Sequence, residues 1–175
     1  MPQSVAFLRA INLGSRRRVA MADLRREFEA LGFDGVSTYI NSGNVVFSTR
    51  RRGRALERVI EGRLEAAFGF EIPAYVRTGA ELRAVLAAEP FEVRPDDTYT
   101  VAFLPKAPPA AARRAVAALS TDTDELQLIG RELHWRVAGR TMDSGIDLED
   151  LRRAVDLPTT ARTITMLRKL VAKLD

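Results

Sequence analysis

The sequence predicts an α+β protein built from two related subdomains, and three observations lead to this fold class. Residues 1–77 alternate strand and helix patterns in the order βαββαβ, the split βαβ or ferredoxin-like arrangement. Residues 99–175 start the same order again, as βαββα plus a C-terminal helix. Each half is small for an independent domain, so we expect two subdomains joined by a linking helix and an irregular segment at 78–98.

The apolar pattern assigns the elements of the N-terminal half in order. Strands alternate apolar residues, whereas the helices repeat them every three or four positions. The predicted strands are Val5–Asn12, Val36–Asn41, Asn44–Thr49 and Ile72–Arg77. The predicted helices are Ala20–Leu31 and Leu56–Phe68, which end at Gly32 and Gly69.

The C-terminal half follows a helix containing Leu82, Val85 and Leu86. Its predicted elements are a strand at Tyr99–Leu104, a helix from Pro108-Pro109 to Leu119, a hairpin of Glu125–Ile129 and Glu132–Val137, a short helix capped by Asp147, and a last helix from Ile164 to Leu174. Its sixth element, the last strand, is expected to be missing, with a helix in its place.

Composition limits the class of protein. Hydrophobic residues make up 46% of the chain, which supports a sizeable core. No apolar run approaches the roughly 20 residues of a membrane span, and no signal peptide is expected, so the predicted location is cytoplasmic. Cysteine is absent, which excludes disulfides and thiolate sites. Residues 1–77 carry a net charge of +5 and the remainder −1, so the basic half suits an anionic partner.

The predicted topology brings two polar turns to one edge of the first sheet. The first two strands run in the same direction, so the end of the first lies beside the turn between the second and third. The N–H groups of the first helix also face this edge, where they suit an anion. The predicted ligand-binding residues here are Arg9, Asn12, Gly14, Arg16, Arg18, Asn41, Ser42, Gly43 and Asn44. A second arginine run, at 50–52, falls at the opposite edge.

The same residues also fit a purely structural interpretation. Asparagine and glycine are common turn residues, and Asn12 at the end of a strand can bond the backbone of the facing turn. Arg9 alternates with Phe7 and Ile11 in a central strand, so its charge needs a partner, and we expect a buried ion pair with the second half rather than contact with a ligand.

Several kinds of site lack their sequence motifs. Neither GxxxxGK[ST] nor GxGxxG occurs, so no nucleotide cofactor is predicted. His134 is the only histidine, and the acidic groups lack calcium-loop spacing, so no metal site is predicted. An RNA-recognition domain needs several aromatic residues on its central strands, whereas this chain offers Phe7 and Phe47.

Two motifs resemble the DUF1697 family of uncharacterised bacterial proteins. FLRAINLGSRRRVAM, ending at Met21, is similar to the family's LLRGINVGGKNKVKM, and TYINSGNVVF at Thr38–Phe47 is similar to its TYIQSGNVVF. The resemblance implies two small α+β subdomains and brings no established activity. It also adds Arg162 to the predicted ligand-binding residues. The family's TTRNWNTV pattern is TARTITML here, from Thr160 to Leu167.

Three functional hypotheses follow. The first is that a small anionic or phosphorylated ligand binds at the edge described above, with any reaction left open. The second is nucleic-acid binding through the basic N-terminal half. The third is a protein-interaction module without catalysis, whose oligomeric state the sequence leaves open.

Overall fold

The computed structural model of the chain describes residues 1–41 and 43–174, which form two compact units. The first unit comprises residues 1–83 and the C-terminal residues from 170 onward, and the second comprises residues 84–169. Each unit contains a four-stranded antiparallel sheet. The predicted α+β class with two related subdomains is therefore confirmed.

The described residues form eight strands and six α-helices. Those of the first unit are β1 (Gln3–Leu8), α1 (Met21–Ala30), β2 (Asp34–Thr38), β3 (Asn44–Ser48), α2 (Gly53–Phe68) and β4 (Ala74–Thr78). Those of the second unit are β5 (Thr98–Phe103), α4 (Ala110–Ala118), β6 (Asp124–Ile129), β7 (Glu132–Val137), α5 (Leu148–Val155) and β8 (Thr160–Thr163). The helices α3 (Gly79–Ala88) and α6 (Ile164–Val171) extend across the boundaries between the units along the chain.

The first sheet has the strand order β2-β3-β1-β4 of a ferredoxin-like unit. Its core lies between the sheet and α1 and α2, because both helices present apolar residues at helical spacing. Phe28 of α1 packs edge-on against Phe47 of β3 at 5.4 Å between ring centroids. From α2, the fully buried contributors are Leu56, Ile60 and Leu64.

The helix α2 also covers the outer edge of the sheet. The Glu57 carboxylate accepts a hydrogen bond of 2.9 Å from the Val76 amide, and that of Glu61 accepts one of 3.1 Å from the Ala74 amide. Arg54 forms ion pairs with both carboxylates. Because β4 is an edge strand, these bonds occupy amides that would otherwise be free to pair with another chain.

The second sheet has the equivalent order β6-β7-β5-β8. The expectation that the last strand is missing is wrong, because Thr160–Thr163 forms β8 and pairs with β5. This strand has four residues and no large apolar side chain, so it lacks the alternation by which strands are identified. The N-terminal cap predicted at Asp147 is confirmed, since its carboxylate accepts from the amides of Glu149 and Asp150.

The two central strands share a sequence as well as a position. Val5–Leu8 and Val101–Leu104 both have the sequence VAFL. In each unit the amide of the last leucine donates to the neighbouring hairpin, to Gly43 O at 2.8 Å and to Arg131 O at 2.9 Å. Because β1 and β5 are equivalent, the residues that pair with them at the same positions are equivalent too. In this way Phe47 corresponds to Trp135, and Val76 corresponds to Ala161.

Within the described residues, none of the helices combines the length and the hydrophobicity that crossing a membrane requires.

Candidate functional site

The β1–α1 loop and the β2–β3 turn lie at the same end of the first sheet. Phe7 pairs with Asn44, and the Leu8 amide donates to Gly43 O at 2.8 Å. The predicted proximity of these two segments is thereby confirmed. At the other end, Ser48 pairs with Gln3, so the arginine run at 50–52 lies at the opposite edge, as predicted.

The side chain of Asn12 holds the β1–α1 loop closed. Its Oδ1 accepts from the Val19 amide at 2.8 Å, while its Nδ2 donates to Val19 O at 3.1 Å and to Asn41 O at 3.2 Å. Its own amide donates to Arg17 O at 3.0 Å, and its φ of 54° is one that asparagine tolerates well. Asn12 therefore positions the loop and links it to the facing turn, as in the structural interpretation.

The β2–β3 turn uses its polar residues in the same way. Asn44 is fully buried, and its Nδ2 donates to Tyr39 O at 2.9 Å. Gly43 has a φ of 79°, and a Cβ at this position would lie 2.8 Å from Cδ1 of Ile11. Glycine is therefore required for the close approach of turn and loop. Ser42 lies outside the described residues.

Gly14, in the β1–α1 loop, differs from Gly43 in having open space around it. Its φ of 65° favours glycine, but a Cβ there would meet nothing within 4 Å. The surface above Gly14 is therefore open, which leaves space for a ligand.

Arg9 does not have the buried position expected for it. The strand β1 ends at Leu8, and Ala10 has a φ of 58°, which turns the chain away from the sheet. The Arg9 amide still donates to Pro73 O at 3.0 Å, but its side chain is exposed. The expected buried ion pair is wrong because the strand is shorter than its apolar pattern indicates.

The basic side chains of the loop are not neutralised by carboxylates. Arg9, Arg16 and Arg18 are exposed, and none forms an ion pair with any described residue. Arg17 lies over the Phe70 ring, 5.6 Å from its centroid. By contrast, Arg63 on α2 forms a salt bridge of 2.5 Å with Glu27, and several other helix arginines also form ion pairs. This edge therefore carries positive charge that no described carboxylate neutralises.

Backbone N–H groups add to this basic edge. The helix α1 begins at Met21, and its N-cap residue, Ala20, has no side chain that could bond the first amides. Within the described chain, the amides of residues 13–18 also donate to no backbone acceptor. Asp23 in the first turn is paired with Arg26. Unpaired amides beside cationic side chains are suited to binding an anion.

Tyr75 is a residue that the sequence analysis missed. It lies on β4 opposite Phe7 and is buried, and its hydroxyl has no hydrogen-bond partner among the described residues. Burial raises the pKa of Tyr75, and the positive charge of Arg9 offsets part of that rise. Only the pairing of β4 with β1 brings these two side chains to the same part of the sheet, so sequence spacing gave no signal.

Arg162, the last of the predicted residues, belongs to the second unit. It lies on β8 opposite Val101, and its Nη1 donates to Thr160 Oγ1 and to Ala161 O, both at 2.9 Å. Burial lowers the pKa of Arg162 to about 10.

His134 also belongs to the second unit. Its Nδ1 shares a hydrogen bond of 2.5 Å with the Tyr99 hydroxyl, and both side chains are buried. Burial lowers the pKa of His134 to about 4, so the ring is neutral at pH 7. The described residues include no cluster of histidine and carboxylate side chains able to hold a metal ion.

Comparison with protein families confirms the resemblance that the two motifs indicate. The sequence model of the family described as 'Protein of unknown function (DUF1697)' matches residues 1–134 of the chain. The chain belongs to the DUF1697 family. The match includes both turns of the candidate site and ends before β8, so it does not include Arg162.

A solved structure extends the likeness of this DUF1697 member over its whole length. The conserved bacterial protein SP0830 from Streptococcus pneumoniae is similar over 99% of this chain and 99% of its own, with a TM-score of 0.77 and 21% sequence identity. At this identity the likeness concerns the fold alone. No curated protein matches the chain significantly.

Proposed function

We propose that the protein binds a small anionic or phosphorylated ligand at the edge formed by the β1–α1 loop and the β2–β3 turn. One observation carries the proposal: Arg9, Arg16 and Arg18 are exposed and have no carboxylate partner among the described residues, beside a loop whose amides at 13–18 have no backbone acceptor. Arginine and backbone N–H groups are the donors that phosphate groups prefer.

In this proposal the predicted residues have two different roles. Asn12, Gly43 and Asn44 fix the shape of the loop and turn, because their side chains or conformations are already used in internal contacts. Arg16, Arg18 and the amides around Gly14 bind the anion. Arg9 adds a further positive charge at the same edge. A loop held in place before binding loses little conformational entropy when the ligand arrives.

The test is isothermal titration with inorganic pyrophosphate as the probe, using two matched double variants. Arg16→Gln/Arg18→Gln removes two charges from the site, and Arg50→Gln/Arg52→Gln removes two exposed charges from the opposite edge. We expect the first variant to bind about tenfold more weakly or worse, since each charge-assisted hydrogen bond contributes about 1.5–3 kcal/mol. The second variant should bind within about twofold of the original chain, because screening limits distant charges. Equal weakening by both variants would contradict a localised site.

The same variants test the nucleic-acid alternative, which the unneutralised arginines at both edges favour. Binding of a single-stranded oligonucleotide along the unit would depend on both runs and weaken steeply with salt. However, Phe7 and Phe47 are both fully buried, so neither offers a ring on which a base could stack. The small-ligand proposal therefore predicts that the oligonucleotide binds no more tightly than pyrophosphate at physiological salt.

A further inference from the structure

The second unit contains an open apolar cavity between α5 and its sheet. Its volume is about 340 Å³, within the range of roughly 300–1,000 Å³ typical of small-molecule pockets. The floor is formed by small residues, Thr100, Ala102 and Ala161, and one wall by Trp135. The helix α5 contributes the opposite wall through Leu151 and Val155, among others.

Comparison of the two units explains why the cavity exists. The helix α2 has 16 residues and covers the first sheet, whereas α5 has only 8 residues. The shorter helix buries Leu151 and Val155, but Leu148 at its start is 66% exposed. Part of the second sheet is therefore left without the cover that the first sheet has.

A backbone donor lies at the edge of this cavity. The Leu104 amide points toward β7, so by alternation the amides of Val101 and Phe103 point toward β8. The residues of β8 that pair with these two direct their amides back at β5. The amide of Ala161, which lies between them, therefore points outward. The equivalent residue in the first unit, Val76, donates its amide to the Glu57 carboxylate at 2.9 Å. For Ala161, no acceptor of this amide occurs among the described residues.

The charge carried by the covering helix next to its buried residues is reversed between the units. In α2, Glu57 and Glu61 each follow a buried residue of the helix, which places them along the edge strand. In α5, the residue that follows buried Leu151 is Arg152, and it lines the cavity. Its partner, Glu149, is bound only across the exposed helix surface, where an ion pair contributes little.

The wall opposite α5 is held rigidly by a buried carboxylate. Asp124 is fully buried and accepts from Trp135 Nε1 at 2.9 Å, which fixes the indole ring. It also accepts from Ser144 Oγ at 2.7 Å and from the Gly145 amide at 3.0 Å, in the segment that leads into α5. The cavity is therefore formed without a ligand and does not depend on closure around one.

We propose that this cavity binds a small molecule with an apolar body and a carboxylate group. The carboxylate accepts from the Ala161 amide and pairs with Arg152, which reproduces with a ligand the contact that Glu57 makes in the first unit. The apolar body lies against Trp135 and the small residues of the floor. This site is separate from the proposed anion site of the first unit and does not depend on it. The concave apolar lining suits a small molecule with a short apolar body.

The chain provides its own reporter for the test, since Trp135 is the only tryptophan. The full-length protein is titrated with octanoate and, separately, with the neutral analogue 1-octanol, and Trp135 fluorescence is followed. We expect a saturable change with octanoate at concentrations about tenfold lower than with 1-octanol. Similar binding of both compounds would overturn the role of the carboxylate, and no saturable change with octanoate would overturn the site.

Two variants of α5 isolate the charge. Arg152→Glu installs the charge that the first unit carries, whereas Arg153→Glu makes the same change at the next residue, which is equally exposed, is paired with Asp150 and does not line the cavity. Circular dichroism confirms that each variant is folded. Arg152→Glu should weaken octanoate binding about tenfold or more and leave 1-octanol unaffected, while Arg153→Glu should change neither. Equal effects of the two variants would refute the proposal.

Discussion

Asp124 is a buried carboxylate whose replacement by asparagine tests how the second unit is held together. One oxygen accepts from Trp135 Nε1 and Ser144 Oγ, and the other from the Gly145 amide and the hydroxyls of Thr121 and Thr123. The hydroxyls can rotate and become donors or acceptors, but the indole and backbone N–H groups cannot. An asparagine amide must therefore direct its NH₂ at one of these two N–H groups, whichever way it is oriented.

The size of the effect follows from these contacts. A buried donor that loses its acceptor costs about 1–3 kcal/mol, and the remaining bonds lose their charge assistance, so we expect Asp124→Asn to cost about 2–4 kcal/mol. The pKa of Asp124 expresses the same hydrogen bonds as a dependence of stability on pH. Its hydrogen bonds lower this pKa from 3.8 to about 2 in spite of burial, which corresponds to about 2 kcal/mol of stability at neutral pH. Because the folded pKa is depressed, this stability is present above pH 3.8 and is lost as the pH falls toward 2.

The assay is urea unfolding followed by the fluorescence of Trp135, at pH 7 and between pH 5 and 2. Asp122→Asn is the matched control, since Asp122 is exposed and two residues away. We expect the control to unfold like the original chain. Asp124→Asn should be less stable at pH 7, and it should lack the part of the fall in stability toward pH 2 that comes from protonation of Asp124. A loss below about 0.5 kcal/mol, or one equal to that of the control, would refute the reasoning.

Three further predictions concern single residues. Asn12→Ala should make local opening of the β1–α1 loop easier by about 2 kcal/mol, because it breaks the bonds that close the loop, and amide hydrogen exchange should become faster in the loop alone. Gly43→Ala should cost about 2–4 kcal/mol in thermal or urea unfolding, since its Cβ would lie 2.8 Å from Cδ1 of Ile11 and 3.1 Å from Cβ of Leu8, which is fixed by the backbone of β1. Gly14→Ala should cost only the backbone strain of about 1 kcal/mol, and equal losses would contradict this. His134 is held neutral with a pKa of about 4, below its usual 6.5, so the unfolded chain gains a proton first on acidification and stability should fall by about 3 kcal/mol between pH 7 and 4. His134→Gln should remove that dependence, and an unchanged pH profile would contradict the assignment.

The order of the elements could be predicted because most strands and helices carry a strong apolar period. The exception, β8, is a short polar edge strand that is recognised only by its pairing with β5. The equivalence of the two units was harder to see, since it is clearest in the VAFL sequence shared by β1 and β5. Outside those residues, register rather than sequence relates positions such as Phe47 and Trp135.

The candidate site was predicted only in part, for a related reason. Topology was enough to place the β1–α1 loop beside the β2–β3 turn, because strand direction fixes which ends meet. The roles of individual side chains depend on local dihedral angles that composition does not reveal. The φ of Ala10 exposes Arg9, and the closed loop uses Asn12 internally. Asp124 was missed because Ser144 and Gly145, which bind it, lie some 20 residues away along the chain.

The most direct test of the proposed anion site is an amide NMR titration of the full chain with inorganic phosphate. We expect saturable chemical-shift changes at the amides of residues 13–18 and at the start of α1, with the amides of residues 50–52 unaffected. These changes should persist at physiological ionic strength, because several donors converge on one ligand. Shifts spread evenly over both arginine runs, or no saturable shift at residues 13–18, would contradict the account.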